Sequence, residues 1–264
     1  MGRLEGKKAI VVGAGQTPGD TVGNGRAMAI LFAREGAEVL CVDRDLGRAE
    51  ETVALIAAEG GAASALRADV ARVADCAAIA AAGRERLGRI DVLVNNVGIG
   101  RGDAPPHRIE EEVWDRILEV NLKGMAMTIR HVLPGMREQR AGAILNVSSL
   151  ASFAGHDMVA YEVSKAGVNR LTTAVASGNA KHGVRCNAVL PGLMDTPMAI
   201  VGIAKARGVD PEVVRATRHA RVPLGRMGDA WDTARAALFL VSDEARFVTG
   251  VCLPVDGGMS VRIG

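Results

Sequence analysis

Short runs rich in β-formers recur along this chain, and each is followed by a stretch long enough for one helix. The runs span 7–12, 37–42, 90–95, 143–148, 184–190 and 248–255, with a weaker one at 63–68. Helix-length stretches occupy 25–35, 46–59, 73–87, 110–133, 158–181 and 229–242. Strands alternating with helices at this interval cannot be joined by hairpins, so they predict a parallel sheet covered by helices on both faces. The Ala-Ile-Val-Val run at 9–12 is apolar throughout, as a strand buried on both sides requires. With no repeat, low-complexity tract or linker, residues 1–264 read as a single doubly wound α/β domain of about seven strands. The segment 196–226, rich in Gly, Pro and charge, reads as an inserted helical flap.

Composition removes other classes. The chain has 48% apolar and 23% charged residues, which excludes disorder, and its 32 glycines follow no collagen period. Aromatics make up 3%, too few for a base-stacking surface, and the net charge of +2 suits neither nucleic acid nor a membrane surface. Cys41, Cys76, Cys186 and Cys252 show no metal-ligand spacing, so no metal is expected and the thiols read as small core hydrophobes. The start, MGRLEGKK, is charged, and no apolar run approaches the roughly 18 residues of a membrane helix. A cytoplasmic protein is the expectation.

After the first strand comes Gly13-Ala-Gly15-Gln-Thr-Pro-Gly19-Asp-Thr-Val-Gly23-Asn24-Gly25. So many glycines mark a backbone that bends sharply and admits a close ligand. The helix opening at Gly23–Gly25 points its unpaired N–H groups and positive dipole end at an anion such as a pyrophosphate. Asp43, twenty residues past Gly23 at the end of the second strand, is placed to accept hydrogen bonds from an adenosine ribose and to repel a 2′-phosphate. This favours NAD over NADP, and Arg44 beside it is the counterweight that keeps NADP open.

Tyr161 is the chain's single tyrosine, and Lys165 lies four residues on, so phenol and ammonium share one helix face. A free phenol has a pKa near 10; a fixed cation beside it is expected to favour the phenolate and make it a usable base. A strand ending in Ser148-Ser149 precedes this pair, and an open parallel sheet places its ligands at such strand ends.

These features together resemble the short-chain dehydrogenase/reductase family of the classical type, with its Rossmann-like fold, from about Lys7 to Met259. Further segments carry the likeness: Asp69-Val70, Asn95-Asn96-Val97-Gly98, Asn121, Asn187-Ala-Val-Leu-Pro191-Gly192 followed by Thr196, and Asp256-Gly257-Gly258. The resemblance implies hydride transfer between a nicotinamide cofactor and a small-molecule secondary alcohol or ketone. Tyr161 is then the acid–base group, Ser149 the donor to the substrate oxygen, Lys165 the ribose ligand that lowers the tyrosine pKa, and Asn121 the holder of a relay water. It implies a cofactor site of Gly13, Gly15, Gly23, Asn24, Gly25, Asp43, Asp69, Val70, Asn95, Asn96, Gly98, Tyr161, Lys165, Pro191, Gly192, Met194 and Thr196. Substrate-side candidates are Ser149, His156, Tyr161, Leu193 and Met198, with Ile99, Arg101, Phe153, Met158 and Ile200 nearby.

Two departures from the family pattern stand out. Nine residues lie between Gly13 and Gly23 where the family usually has three, an insertion that brings Thr17 and Thr21 near the phosphates. The serine lies twelve residues before Tyr161 if it is Ser149 and thirteen if it is Ser148. Strand alignment favours Ser149 and residue counting favours Ser148. The family's habit implies a homotetramer or homodimer built on the stretches 110–133 and 158–181. Two other readings stay in view: a silent NAD-binding sensor or scaffold, and a dehydratase or epimerase on the same cofactor fold. A sensor needs none of Ser149, Tyr161, Lys165 and Asn121.

Overall fold

The computed structural model describes residues 2–155 and 157–262. Its strands are β1 (Lys8–Val12), β2 (Glu38–Asp43), β3 (Ala63–Arg67), β4 (Val92–Asn95), β5 (Gly142–Val147), β6 (Val184–Pro191), β7 (Met194–Asp195), β8 (Gly228–Asp229) and β9 (Cys252–Val255). The helices are α1 (Asn24–Arg34), α2 (Leu46–Ala58), α3 (Val73–Leu87), α4 (Glu111–Leu118), α5 (Gly124–Gln139), α6 (Val159–Asn179), α7 (Pro197–Arg207), α8 (Pro211–His219) and α9 (Ala230–Val241). Among the described residues, seven strands form one sheet in the order β3-β2-β1-β4-β5-β6-β9, every pair parallel. This is the doubly wound Rossmann-like sheet that the strand–helix alternation predicts.

Strand alternation sorts the core into two layers. Ala9, Val11, Val39, Cys41, Val92 and Val94 pack with α1 and α9 on one face. Ile10, Val12, Leu40, Val42, Leu93 and Ile144 pack with α3 and α5 on the other. The buried thiols of Cys41 and Cys186 belong to these layers, and burial pushes both up to about 12. No described helix is long and apolar enough to cross a membrane.

Parallel strands bring all their C-terminal ends to one edge, and the winding reverses between β1 and β4. Ligands of open α/β sheets bind at such a switch point. The glycine loop after β1, the Asn96–Gly98 turn after β4, Ser148-Ser149 after β5 and Gly192 after β6 therefore share this edge.

Three elements differ from the sequence reading. The single helix expected over 110–133 is α4, one wide π turn at Glu119–Lys123, and then α5, which runs through Pro134 to Gln139. Hydrophobic periodicity does not register one extra residue in a turn, and neighbouring turns tolerate the missing proline N–H. The strand expected over 248–255 is confined to Cys252–Val255, because Val248 and Gly250 belong to a turn whose backbone bonds β6 and its side chains. The two-residue parallel pair β7–β8, too short to leave a pattern, was not anticipated. Between those short strands, α7 and α8 enclose a small core of their own: Ile200, Ala204, Val214, Val222 and Met227.

Candidate active site

The loop after β1 has the shape of an anion cradle. Gly13 takes φ +82°, a conformation that disfavours any side chain, and a Cβ on Gly25 would overlap the Gly13 carbonyl. The Asn96 side chain braces the turn by donating to that carbonyl at 2.9 Å. The first N–H groups of α1 have no intrahelical acceptor, as at any helix start. Beside them, Asn24 Oδ1 and Thr21 Oγ1 are buried with no hydrogen-bond partner among the described residues. Open N–H donors, the unpartnered Thr21 hydroxyl as a further donor, and a backbone bare of Cβ atoms fit a dinucleotide pyrophosphate.

Asp43 ends β2 with its carboxylate turned to the loop, accepting from Gly15 N at 3.1 Å and Asp45 N at 3.1 Å. Arg44 is exposed, and its guanidinium has no partner among the described residues. Further along the edge, Asp69 Oδ1 accepts from Ala71 N at 3.0 Å, and Val70 is buried against Gly124. Asn95, at the end of β4, donates its side-chain Nδ2 across the sheet to Asn146 Oδ1 at 2.9 Å. A buried amide needs a partner, and the nearest one lies inside the core.

Tyr161 stands in the first turn of α6, and Lys165 one turn later is 2% exposed. The lysine Nζ lies 5.7 Å from the tyrosine ring centroid and donates to the Val147 carbonyl at 2.9 Å. A Cβ on Gly98 would come within 3.1 Å of that Nζ, so a side chain here would crowd the lysine. The two serines separate by direction. Ser149 lies close enough to the Tyr161 phenol to hold its pKa down, whereas Ser148 Oγ donates to the Lys165 carbonyl at 3.0 Å and faces into the core. Extended backbone turns successive side chains to opposite sides, so only one of the pair can meet the tyrosine.

The electrostatics run against the expectation that Lys165 alone makes Tyr161 a base. Burial raises the phenol above its ordinary value, and the nearby Ser149 hydroxyl offsets this only in part. Burial also lowers the Lys165 ammonium to about 8. Each charged form is taken from water without a compensating counter-ion beside it, so burial works against both charges, although Lys165 at about 8 stays mainly cationic at neutral pH.

Asn121 sits on the π turn, fully buried, where the extra residue aims it at the β4 edge. Its Oδ1 accepts from Ile99 N at 2.8 Å, while Nδ2 donates to Ile99 O at 2.9 Å and Ser164 Oγ at 3.0 Å. Ser164 in turn donates to the Tyr161 carbonyl at 2.7 Å. Both Nδ2 hydrogens are thereby committed to the protein, while Oδ1 accepts one bond and keeps a second lone pair.

One residue of this site was missed. Asp103, in the loop after β4, accepts from Ala160 N at 3.2 Å and Tyr161 N at 2.8 Å. It caps the helix that carries the tyrosine from 58 residues away. No local pattern signals such a cap, because donor and acceptor meet only in the fold.

Beyond β6, Gly192 N donates to Val255 O at 2.9 Å, and Gly192 lies against Asp256 too closely for a Cβ. Met194 is buried against Gly228, and Thr196, 6% exposed, starts α7 without using its hydroxyl as a cap. Leu193 and Ile200 pack into the α7–α8 core rather than standing open. Met198 and Phe153 are each 62% exposed. His156 lies outside the described residues.

At the level of class, the switch-point edge is that of a Rossmann-like fold shaped to take a dinucleotide. Residues 20–260 match the family model described as enoyl-(acyl carrier protein) reductase. The chain is 37% identical over 259 residues to 2-(S)-hydroxypropyl-CoM dehydrogenase 3 of Xanthobacter autotrophicus, covering 98% of each chain. It is 39% identical over 263 residues to the 3-oxoacyl-[acyl-carrier-protein] reductase FabG of Thermotoga maritima, covering 98% of this chain and 100% of that one. A solved short-chain dehydrogenase/reductase structure from Burkholderia xenovorans superposes over 100% of both chains with a TM-score of 0.91 at 44% identity. The chain belongs to the short-chain dehydrogenase/reductase family of oxidoreductases, whose members bind a nicotinamide cofactor.

Proposed function

We propose that this protein interconverts a secondary alcohol and its ketone with NAD as cofactor. The observation that carries this reading is the meeting of three side chains at the end of β5: Tyr161, Ser149 close enough to hold the phenol's pKa down, and Lys165 with its Nζ 5.7 Å from the centroid of the tyrosine ring. Gly13, Gly15, Gly23, Asn24 and Gly25 would hold the pyrophosphate and Asp43 the adenosine ribose. Asp69 and Val70 would flank the adenine. Asn96, Gly98, Lys165, Pro191, Gly192, Met194 and Thr196 would surround the nicotinamide half. Bound there, the nicotinamide gives or takes the hydride.

The chain's own residues handle the proton and the oxygen. A neutral Tyr161 would give its proton to the oxygen of a ketone as that oxygen gains charge, and in the reverse direction its phenolate would take a proton from an alcohol. Ser149 donates to the same oxygen and steadies the developing negative charge. Lys165 holds its Nζ behind the phenol, anchored on the Val147 carbonyl, and at about 8 it stays mainly cationic at neutral pH. The flap of α7 and α8, with Leu193 and Met198 on its approach, would cover the substrate. Both named relatives act on small oxygen functions by their descriptions, a hydroxypropyl and a 3-oxoacyl group, which supports the alcohol–ketone class.

Asp43 bonded to Gly15 supports NAD, since a 2′-phosphate there would meet a carboxylate. The unpartnered Arg44 supports NADP as a second reading, as a guanidinium suits a phosphate. Absorbance of the reduced nicotinamide, followed with NAD and with NADP against a panel of secondary alcohols, tests reaction and cofactor together. Turnover with NAD preferred is expected. Dinucleotide binding without turnover on any alcohol or ketone would move the assignment to a silent binding protein. A homotetramer or homodimer built on α4, α5 and α6 goes with this reading, and light scattering on the eluted protein measures it.

A further inference from the structure

The six residues by which the glycine loop exceeds the family's usual length are built into a structured bridge. Gln16 spans the extension, its Oε1 accepting from Gly23 N at 2.9 Å and its Nε2 donating to Thr21 O at 3.2 Å. At the loop's tip, Gly19 lies against Pro197, the first residue of α7, so closely that a Cβ would come within 2.8 Å of the proline ring. Next to it, both carboxylate oxygens of Asp20 accept from Arg215 Nη2, at 2.8 and 2.7 Å. Arg215 belongs to α8 and is only 13% exposed; its other nitrogens donate to Asp195 Oδ2 at 3.1 Å and to Glu212. Arg215 thus ties together three segments: the loop after β1, the β7 strand that leads to Thr196, and the helix pair.

Two further facts give that tie a consequence. The α7–α8 pair has its own small core, is pinched at its base by the two-residue β7–β8 pairing, and meets the C-terminal turn through Met259 and the Leu224 N to Gly257 O bond. The loop and Thr196 flank the two ends of the cleft in which the proposed pyrophosphate and nicotinamide would lie. A bond from loop to flap closes over that cleft.

We propose that Asp20 and Arg215 form a latch between the extended glycine loop and the flap, and that this latch governs how fast a bound nicotinamide dinucleotide leaves. The proposal rests on the cofactor reading above. Asp20 and Arg215 are positioning residues and touch no reacting atom. The Arg215 hydrogen bond already holds the Asp20 carboxyl below its ordinary value, so the latch is charged and closed throughout the neutral range. Because Asp20 is largely exposed, removing its charge leaves the fold intact while releasing the flap.

Stopped-flow displacement of fluorescent NADH or NADPH from the full-length protein measures the effect directly. For Asp20→Asn the dissociation rate is expected to rise about three- to fivefold, the range open to an ion pair with one exposed partner. The Michaelis constant for the cofactor should rise with it while kcat holds or increases, and the melting temperature should stay within about 1 °C of the parent. Salt should accelerate release from the parent but not from Asp20→Asn, and Asp20→Glu should restore slow release. Hydrogen exchange of residues 211–219 in the cofactor-free protein should quicken in Asp20→Asn. Unchanged release and unchanged exchange would overturn the latch. A parent protein that binds neither dinucleotide would instead sink the cofactor reading, and the exchange measurement would still decide whether Asp20 holds the flap.

Discussion

Tyr161 and Lys165 are one helical turn apart, yet burial moves them in opposite directions, the phenol up and the ammonium down. In the cofactor-free protein the phenol is protonated at neutral pH, the state needed to give a proton to a ketone oxygen. Ketone reduction should therefore fall as pH rises into the alkaline range, and alcohol oxidation should climb over the same limb; paired pH–rate profiles check this. Tyr161→Phe keeps the ring and removes the proton, so turnover is expected to drop about 10²–10⁴-fold with dinucleotide binding largely kept. Lys165 gives a stability test. Its folded value of about 8 lies below the ordinary 10.5, so between these limits the unfolded chain binds more protons than the folded one. Stability of the parent should rise with pH across that window relative to Lys165→Met, by at most about 3 kcal/mol. Denaturant unfolding of the cofactor-free pair at pH 8 and pH 10.5 measures the difference.

At the scale of elements, α6 depends on a residue it does not contain. Asp103 takes the N–H groups of Ala160 and Tyr161, fixing the first turn where the reactive side chain leaves the backbone. Losing such a cap costs about 1 kcal/mol and lets the turn fray. Small displacements at a reacting centre are expensive, so Asp103→Ala should lower kcat about tenfold or more, beyond what its stability loss explains. Asp103→Asn keeps an acceptor oxygen and should recover most of the rate. Steady-state kinetics of both variants beside their melting temperatures separate positioning from unfolding. The π turn works on the same principle: one extra residue swings Asn121 inward to clamp Ile99, so the β4 edge and α6 are held in a common frame.

Across the whole molecule, Arg185 ties β6 to the end of the helix α9 that packs beneath the sheet. Its guanidinium donates to the carbonyls of Leu240, Val241 and Ser242 at the end of α9, and to Val248 beyond it. A positive group is favoured at a helix C-terminus, and these carbonyls would otherwise be left without partners. Arg185→Ala should destabilise the protein by about 2–3 kcal/mol, which lowers the melting temperature by roughly 5–10 °C at this size. Calorimetry reads that loss, and the site's dinucleotide affinity, measured well below the transition, should change little.

Much of this protein was legible before any coordinates. Strand–helix alternation determined the parallel sheet because crossover connections leave no other pairing. The glycine loop, Asp43 and the Tyr161–Lys165 spacing are local patterns, and local patterns survive in sequence. The choice between Ser148 and Ser149 as partner of the phenol was decided by the direction of two successive side chains at a strand end, which residue counting could not resolve. Asn95 reads as a cofactor contact, and the fold also gives its amide a partner across the sheet in Asn146. Asp103, Arg185 and the Asp20–Arg215 bond left no trace, since each joins residues far apart along the chain. Sequence by itself determined which chemistry the chain carries and on which elements. Tertiary structure alone decided the partners and burial of those groups, because hydrogen bonds and desolvation depend on what the rest of the chain brings alongside.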